Sequence, residues 1–247
     1  MVPKGDTRQT IRRIILFVFF IAYPIIIVFL SPILAVPAAG ERIMAAGLLI
    51  WMILLILSFF IGRVYCGWVC PGGSEQMIVD RLIRKPLVQI RYLSGVRWIF
   101  LALWLGLTII LAIRAGGLTS IDPFYKISGF PYGIMMVLYG YSMIIMVFLS
   151  ALFLGKRGMC QYLCPTSGLM MIGTRVKNYL KYPSLHIEAD KDLCVDCKKC
   201  EENCPRSLEV TSMVRKGSFT SDECILCGTC IDTCPRNVTR FAWLWRR

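Results

Sequence analysis

Twelve cysteines dominate the chemistry available to this chain of 247 residues. Eight lie near its end in two matching runs, Cys194-x-x-Cys197-x-x-Cys200-x-x-x-Cys204-Pro205 and Cys224-x-x-Cys227-x-x-Cys230-x-x-x-Cys234-Pro235, with an offset of thirty residues. Three Cys at two-residue intervals can wrap one corner of a cuboidal cluster with thiolates, and a fourth ligand must arrive from a distant segment to close the cage. This is the bacterial ferredoxin spacing for a 4Fe–4S cluster, in which the fourth Cys of each run serves the other cluster. The reading therefore assigns Cys194, Cys197, Cys200 and Cys234 to one cluster, and Cys224, Cys227, Cys230 and Cys204 to its neighbour. A zinc site would use four ligands in C-x-x-C pairs, not two identical runs ending in Pro. A disulfide scaffold is disfavoured wherever thiols are kept reduced.

The other four cysteines form Cys66-Gly-Trp-Val-Cys70-Pro71 and Cys160-Gln-Tyr-Leu-Cys164-Pro165. Each pair follows an apolar segment ending in a glycine and a basic residue, Gly62-Arg63 and Gly155-Lys156. Met77-Ile78 and Met171-Ile172 continue the likeness at a period of 94 residues. The expectation is an internal duplication, with a C-x-x-x-C-P motif in each half and an axis along a membrane normal. Thiols at i and i+4 share one helix face, so two such pairs brought together would offer four converging thiolates, the ligand number of an additional iron–sulfur cluster. Redox-active dithiols and buried packing thiols remain as alternatives at this stage.

These motifs need elements to hold them. Four segments lack charged side chains: Ile14–Gly40, Ile43–Gly62, Trp98–Ile113 and Ile127–Gly155. Mean hydropathy is +0.62 and hydrophobic residues make up 56%, outside the soluble range. The fold expected is membrane α-helical, four transmembrane helices in two tandem halves over residues 1–179. A small α+β two-cluster ferredoxin-like domain over 180–247 completes it. Short strands are expected at Leu208–Met213 and Ser218–Asp222, around the Arg215-Lys216-Gly217 turn. The first segment is too long for a cleavable signal, and no small-residue cleavage site precedes polar sequence.

Charge gives the orientation. The net charge of +13 sits almost wholly in the apolar part, with 17 basic and 5 acidic residues in 1–179 against 11 and 10 beyond. That distribution fits basic loops beside membrane spans and not a nucleic-acid-binding face. Fourteen basic residues flank one side of the expected spans and three, Arg42, Arg114 and Lys126, the other. Both termini and the ferredoxin domain are thus expected in the cytoplasm of an integral, multi-pass inner-membrane protein. No expected span contains His, which disfavours a membrane haem, or Asp, Glu or Lys at mid-depth, which disfavours a pump or channel.

A four-helix membrane unit with two C-x-x-x-C-P motifs, followed by these ferredoxin runs, resembles the NapH-type membrane polyferredoxins over roughly residues 10–240. The resemblance implies a quinol dehydrogenase membrane component that passes electrons between the quinone pool and iron–sulfur or cytochrome partners of an anaerobic-type respiratory chain. It also implies that Cys66, Cys70, Cys160 and Cys164 are functional. Two further readings stand beside it: an assembly or maturation factor that reduces a metal ion or thiol, and an electron-entry subunit of a larger energy-conserving complex. Quinone chemistry needs proton acceptors at an interface. Candidates are Glu41, Arg42, Arg114, Asp122, Tyr125 and Tyr132 on one side and Glu75, Asp80 and His186 on the other, none of them assigned as catalytic. His186 reads as a linker residue entering a strand, the Met135-Met136 and Met143–Met146 stretches as helix packing, and the terminal Arg240–Arg247 stretch as a membrane-interface or partner contact.

Overall fold

The computed structural model describes residues 4–23, 26, 32–83, 92–123, 125, 132–217 and 219–243. Outside them lie positions 24–25 and 27–31 of the first apolar segment, Arg84, Lys85, Arg91, Lys126, Ser218 and Trp245-Arg246-Arg247, with the side chains of Lys4, Arg81, Tyr132, Met135 and Met136.

The first half contains α1 (Lys4–Ile21), α2 (Pro32–Gly40), β1 (Ile43–Met44), α3 (Ala46–Ile61), the short α4 (Val64–Trp68) and α5 (Pro71–Ile83). The second contains α6 (Val96–Ala115), β2 (Ser120–Ile121), α7 (Tyr132–Leu154), the short α8 (Gly158–Tyr162) and α9 (Pro165–Leu180). Adding 94 to α4 gives the bounds of α8, and the same shift brings Pro71 of α5 onto Pro165 of α9. The halves exchange partners: α5 packs on α1 and α7, whereas α9 packs on α6 and α3. A small-residue contact permits the second crossing, because a Cβ on Gly173 of α9 would stand 1.9 Å from Ser58 Oγ of α3. Trp51, Leu101 and Leu169 close the core between α3, α6 and α9, and the Trp51 and Trp104 rings lie 4.3 Å apart.

The apolar segments do not all become full-length spans. Among the described residues one helix, Tyr92–Ala115, is long and apolar enough to cross a membrane, while Ala46–Ile61 and Leu138–Leu154 are shorter apolar helices. Four spanning helices are therefore not what these residues display. The second segment shortens because Ile43 and Met44 leave the helical pattern to pair in parallel with Ser120 and Ile121. The 16 residues of α3 rise about 24 Å, short of roughly 30 Å of hydrocarbon. The third lengthens, because a 3-10 turn at Tyr92–Gly95 precedes α6 and the helix takes in both Arg97 and Arg114. Large apolar side chains lie on the outward faces: Phe17 and Val18 on α1, Ile53 and Ile56 on α3, Leu103 and Ile110 on α6, and Ile145 and Phe153 on α7 are all exposed.

After α9, Tyr182 donates to the Phe59 carbonyl, and Leu185 N donates to the Phe60 carbonyl at 2.9 Å. Lys177 Nζ donates to the Leu185 carbonyl at 2.6 Å. The terminal domain follows with β3 (His186–Ala189), α10 (Lys199–Glu202), α11 (Val210–Arg215), α12 (Thr229–Asp232) and β4 (Thr239–Ala242). The strands β3 and β4 pair antiparallel, His186 facing Ala242, and enclose both cysteine runs between them. The strands expected at 208–213 and 218–222 are corrected: Val210–Arg215 is helical and no strand is assigned at 219–222. Val210 and Val214, four positions apart, are both buried in the domain core, and that spacing suits a helix face better than a half-exposed strand.

Candidate iron–sulfur sites

Each ferredoxin run wraps by the same backbone device. Asp196 and Lys198 within the first run and Ser207 just after it have positive φ, and thirty residues on so do Leu226, Gly228 and Asn237. Left-handed residues between the cysteines turn successive thiols inward, a conformation that carries a steric cost for a side chain with a Cβ. The result is two cavities. One is lined by Cys204, Cys224, Cys227 and Cys230. The other is lined by Cys194, Cys197, Cys200 and Cys234, with Cys230 at its wall. Cys204 thus lies with the second run and Cys234 with the first, the exchange expected from the spacing.

The donor sets suit a cluster. Among the described residues no three His, Cys, Asp or Glu side chains close on one point as a single ion requires. A cuboidal cluster instead takes one thiolate at each of four corners. Val238 N donates to Cys234 Sγ at 3.4 Å, and Cys227 Sγ lies 3.3 Å from Thr229 Oγ1; such bonds to sulfur tune a cluster's potential. Burial pushes the Cys224 thiol up to about 12, a state that ligation as thiolate would reverse. Cys197 is exposed, whereas Cys204, Cys227 and Cys230 are buried, so one cavity opens toward solvent and the other faces the helical unit.

The C-x-x-x-C-P cysteines meet at that inner face. Cys66 and Cys160 are buried in the short helices α4 and α8, and Cys70 and Cys164 lie just before α5 and α9. Cys70 is within electrostatic reach of Cys66, Cys160 and Cys164, and burial followed by these neighbours pushes its thiol well up. Gln76 Nε2 donates to Cys160 Sγ at 3.3 Å, and Cys66 Sγ lies 3.8 Å from Met170 Sδ. Cys66, Met170, Ile225 and Cys227 form one buried cluster, so the quartet adjoins the inner ferredoxin cavity. Gly67 permits the approach, because a Cβ there would stand 2.4 Å from the Ile225 carbonyl. Trp68 Nε1 donates to the Leu226 carbonyl at 3.0 Å, and Gln9 Nε2 of α1 donates to the Cys227 carbonyl at 3.1 Å.

The residues that sequence reasoning missed are arginines. Arg63, Arg97, Arg157 and Arg206 are each no more than 3% exposed. Glu223, next to Cys224, pairs with Arg63 at 2.9 Å, with Arg97 at 2.5 Å and with Arg206. Burial opposes ionisation of Glu223, but Arg206, Arg63 and Arg97 overcome it and hold its carboxyl at about 2. Arg63 NH2 donates to Ser167 Oγ at 2.5 Å, and Ser167 donates to the Cys160 carbonyl at 2.7 Å. Arg157 NH1 donates to the Cys66 carbonyl at 2.6 Å. The 94-residue period aligns Arg63 with Arg157, not with the Gly155-Lys156 pair that the motif ends suggested; applying it one residue further would have found both.

The proton-acceptor candidates scatter. Glu41, Arg42, Arg114 and Asp122 are exposed at the β1–β2 end, with Tyr125 buried below them. At the cysteine end Asp80 is half-buried, and His186 is buried with Nδ1 2.8 Å from the Ser184 carbonyl. Glu75 on α5 is buried and neither carboxylate oxygen has a hydrogen-bond partner among the described residues; burial pushes its carboxyl up to about 7. Met143 and Met146 are half-buried on α7.

The 4Fe–4S binding domain family matches residues 43–88 and again 131–172, once in each half, and the 4Fe–4S dicluster domain family matches 186–235. Among curated relatives, the uncharacterized protein MJ0749 of Methanocaldococcus jannaschii is 26% identical over 87% of this chain and 81% of its own length. The putative electron transport protein YccM of Escherichia coli is 23% identical over 69% of this chain. The methylamine utilization ferredoxin-type protein MauN of Methylobacillus flagellatus is 29% identical over 63% of it. The chain spans about half the length of these last two, 49% and 52%. No solved structure matches the chain. It is a ferredoxin-type iron–sulfur electron-transfer protein, related to YccM and MauN.

Proposed function

We propose that the chain is a membrane-embedded electron-transfer subunit that carries two 4Fe–4S clusters in its terminal domain and passes single electrons between the quinone pool and partner redox proteins. The observation that carries this reading is the pair of neighbouring cavities, each with three thiols from one run and one from the other. Cys194, Cys197, Cys200 and Cys234 would hold one cluster, and Cys204, Cys224, Cys227 and Cys230 the other. When bound, the clusters supply one-electron steps. The chain's own residues hold the thiols in two cages, bury the inner one against the helical unit and leave Cys197 exposed toward a partner.

A membrane setting is supported by the apolar outer faces of α1, α3, α6 and α7 and by the fourteen-to-three bias of flanking basic residues. In that setting the apolar helices sit in the inner membrane, with Tyr92–Ala115 crossing it, and both termini and the ferredoxin domain face the cytoplasm. The salt bridge between Arg8 of α1 and Asp232 of α12 agrees with the amino-terminal end and the ferredoxin domain sharing one side.

The test begins with anaerobically purified, reduced protein mixed with a soluble quinone analogue, followed by stopped-flow absorbance of the clusters. Saturable reoxidation that a quinone-site inhibitor blocks is the expected result. Clusters that stay reduced with quinone but discharge to a metal ion would replace this reading with maturation; discharge only to a soluble ferredoxin would replace it with electron entry into a larger complex.

A further inference from the structure

We propose that a quinone headgroup binds between α1, α5 and α7 against the carboxyl of Glu75, with Tyr23 and Tyr139 as hydrogen-bonding phenols, and that Glu75 takes the proton when bound quinol is oxidised. The inference rests on the quinone-linked reading above and gives that reading a place in the fold. Glu75 is 5% exposed, and neither of its carboxylate oxygens has a hydrogen-bond partner among the described residues. A buried polar group without a partner is costly, and its presence calls for a role such as holding a ligand. The helix that carries it, α5, packs on α1 and α7. Tyr23, buried two residues beyond α1, lies within electrostatic reach of Glu75, of Tyr139 on α7, and of Cys70 and Cys164. Gln76, next along the chain, donates to Cys160 Sγ at 3.3 Å. The carboxyl therefore stands at the edge of the cysteine quartet.

The internal repeat supplies a comparison within the same chain. Adding 94 to Glu75 reaches Leu169 of α9, which is also 5% exposed and packs with Trp51 and Leu101 in an apolar core. A leucine satisfies the fold at this place, so packing does not call for the carboxyl in α5. Tyr23 and Tyr139 have no phenol counterparts either, since the period puts Gly117 and Ala45 opposite them. Three polar groups from three segments thus depart from the repeat together, at one spot. Their chemistry matches one ligand class: a quinone carbonyl accepts from a phenol, and a quinol hydroxyl donates to a carboxylate. On the outer sides of the flanking helices, Val18 and Ile21 of α1 and Leu138 and Ile145 of α7 are exposed, so a lipid-soluble substrate reaches the site sideways. Burial holds the Glu75 carboxyl at about 7, close to the pH at which a general base works best. Oxidation of one quinol breaks two O–H bonds in turn. Each proton passes to a Glu75 carboxylate oxygen and then to water, and each electron reduces one of the two oxidised 4Fe–4S clusters of the ferredoxin domain.

The experiment labels the anaerobically purified full chain, clusters in place, with an azido-quinone and maps the adduct by mass spectrometry. Labelling at Tyr23, on α5 or beside Tyr139 is expected, and excess unlabelled quinone should abolish it. Glu75→Leu copies the residue that the second half already uses, so it should fold and keep both ferredoxin paramagnetic resonance signals. Its quinone affinity should fall about tenfold or more, because the hydrogen-bonding partner is gone. Glu75→Gln should hold more of the binding but slow cluster reduction by quinol, and it should remove a carboxyl C=O band from the quinone-minus-quinol infrared difference spectrum. A Glu75→Leu variant that binds like wild type, a label confined to the β1–β2 end, or a carboxyl band unchanged in Glu75→Gln overturns the site. If Glu75→Leu fails to fold, the wild-type label position and the Glu75→Gln band decide. Wild-type clusters that quinone reoxidises while the label falls elsewhere defeat this site and leave the proposed function standing; absence of both reoxidation and labelling defeats both.

Discussion

Glu223 joins the two parts of the molecule through one side chain, because Arg63 and Arg97 come from the helical unit and Arg206 from the ferredoxin domain. Removing one partner from a buried ionic group leaves uncompensated charge and costs about 3–5 kcal/mol. Glu223→Gln should therefore lower the thermal midpoint and expose the linker near Tyr182–Leu185 to limited proteolysis; unchanged melting and cleavage would show that the arginines are held by other means. Glu75 gives a pH signature of opposite origin. Its folded pKa of about 7 lies above the ordinary 4.5, so the folded state binds the extra proton and stability falls as pH rises from about 4.5 to about 7. Glu75→Gln should remove this slope and melt higher than wild type at pH 8, compared by thermal unfolding in detergent between pH 5 and 8. Neither arginine knot nor orphan carboxylate is legible in the sequence, because the pairs join residues 126 and 160 positions apart and no local pattern marks them.

At the level of elements, two glycines set how closely the pieces approach. Alanine at Gly173 would drive a methyl into Ser58 Oγ at 1.9 Å, an overpacking that typically costs about 1–3 kcal/mol; Ser58→Ala should restore part of the stability in the double variant, and a failure of rescue would argue against this contact. Alanine at Gly67 meets a backbone carbonyl at 2.4 Å, so the Ile225 loop must retreat. Gly67→Ala should lower the thermal midpoint through overpacking, measured by thermal unfolding in detergent. The repeat of the C-x-x-x-C-P motif was readable from the spacing of cysteines; the short helix before each Pro and the long helix after it were not read there, although Pro favours the first turn of a helix. The helix at Val210–Arg215 was not, because Leu208–Met213 also reads as an alternating strand, and burial of Val210 with Val214 decides between them.

For the whole molecule, the apolar belt and the charged end are separate regions, with α1, α3, α6 and α7 forming the first and the cysteine motifs with the ferredoxin domain the second. A reporter active only outside the inner membrane should be silent when fused after Trp243 and active when inserted near Thr119; the reverse pattern would invert the proposed topology. Two-part organisation and both cysteine runs were legible, because metal ligation imposes spacing on the chain itself. Span lengths were less so. Composition cannot tell that Ile43 and Met44 leave a helix for a short parallel pairing with residues 77 positions away.

The exchange of helices between the halves bears on how the protein is made. When the ribosome has completed the chain only as far as α6, Cys66 and Cys70 are present, but α7, which packs on α5, and the segment around α8 that supplies the other two thiols are not. The quartet exists as a unit only after α9 has emerged and settled on α3 and α6, and the ferredoxin domain follows it within six residues. Synthesis thus reaches both kinds of cysteine site almost together, at the end of translation. A nascent chain stalled before α7 holds two of the four thiols and lacks the other two.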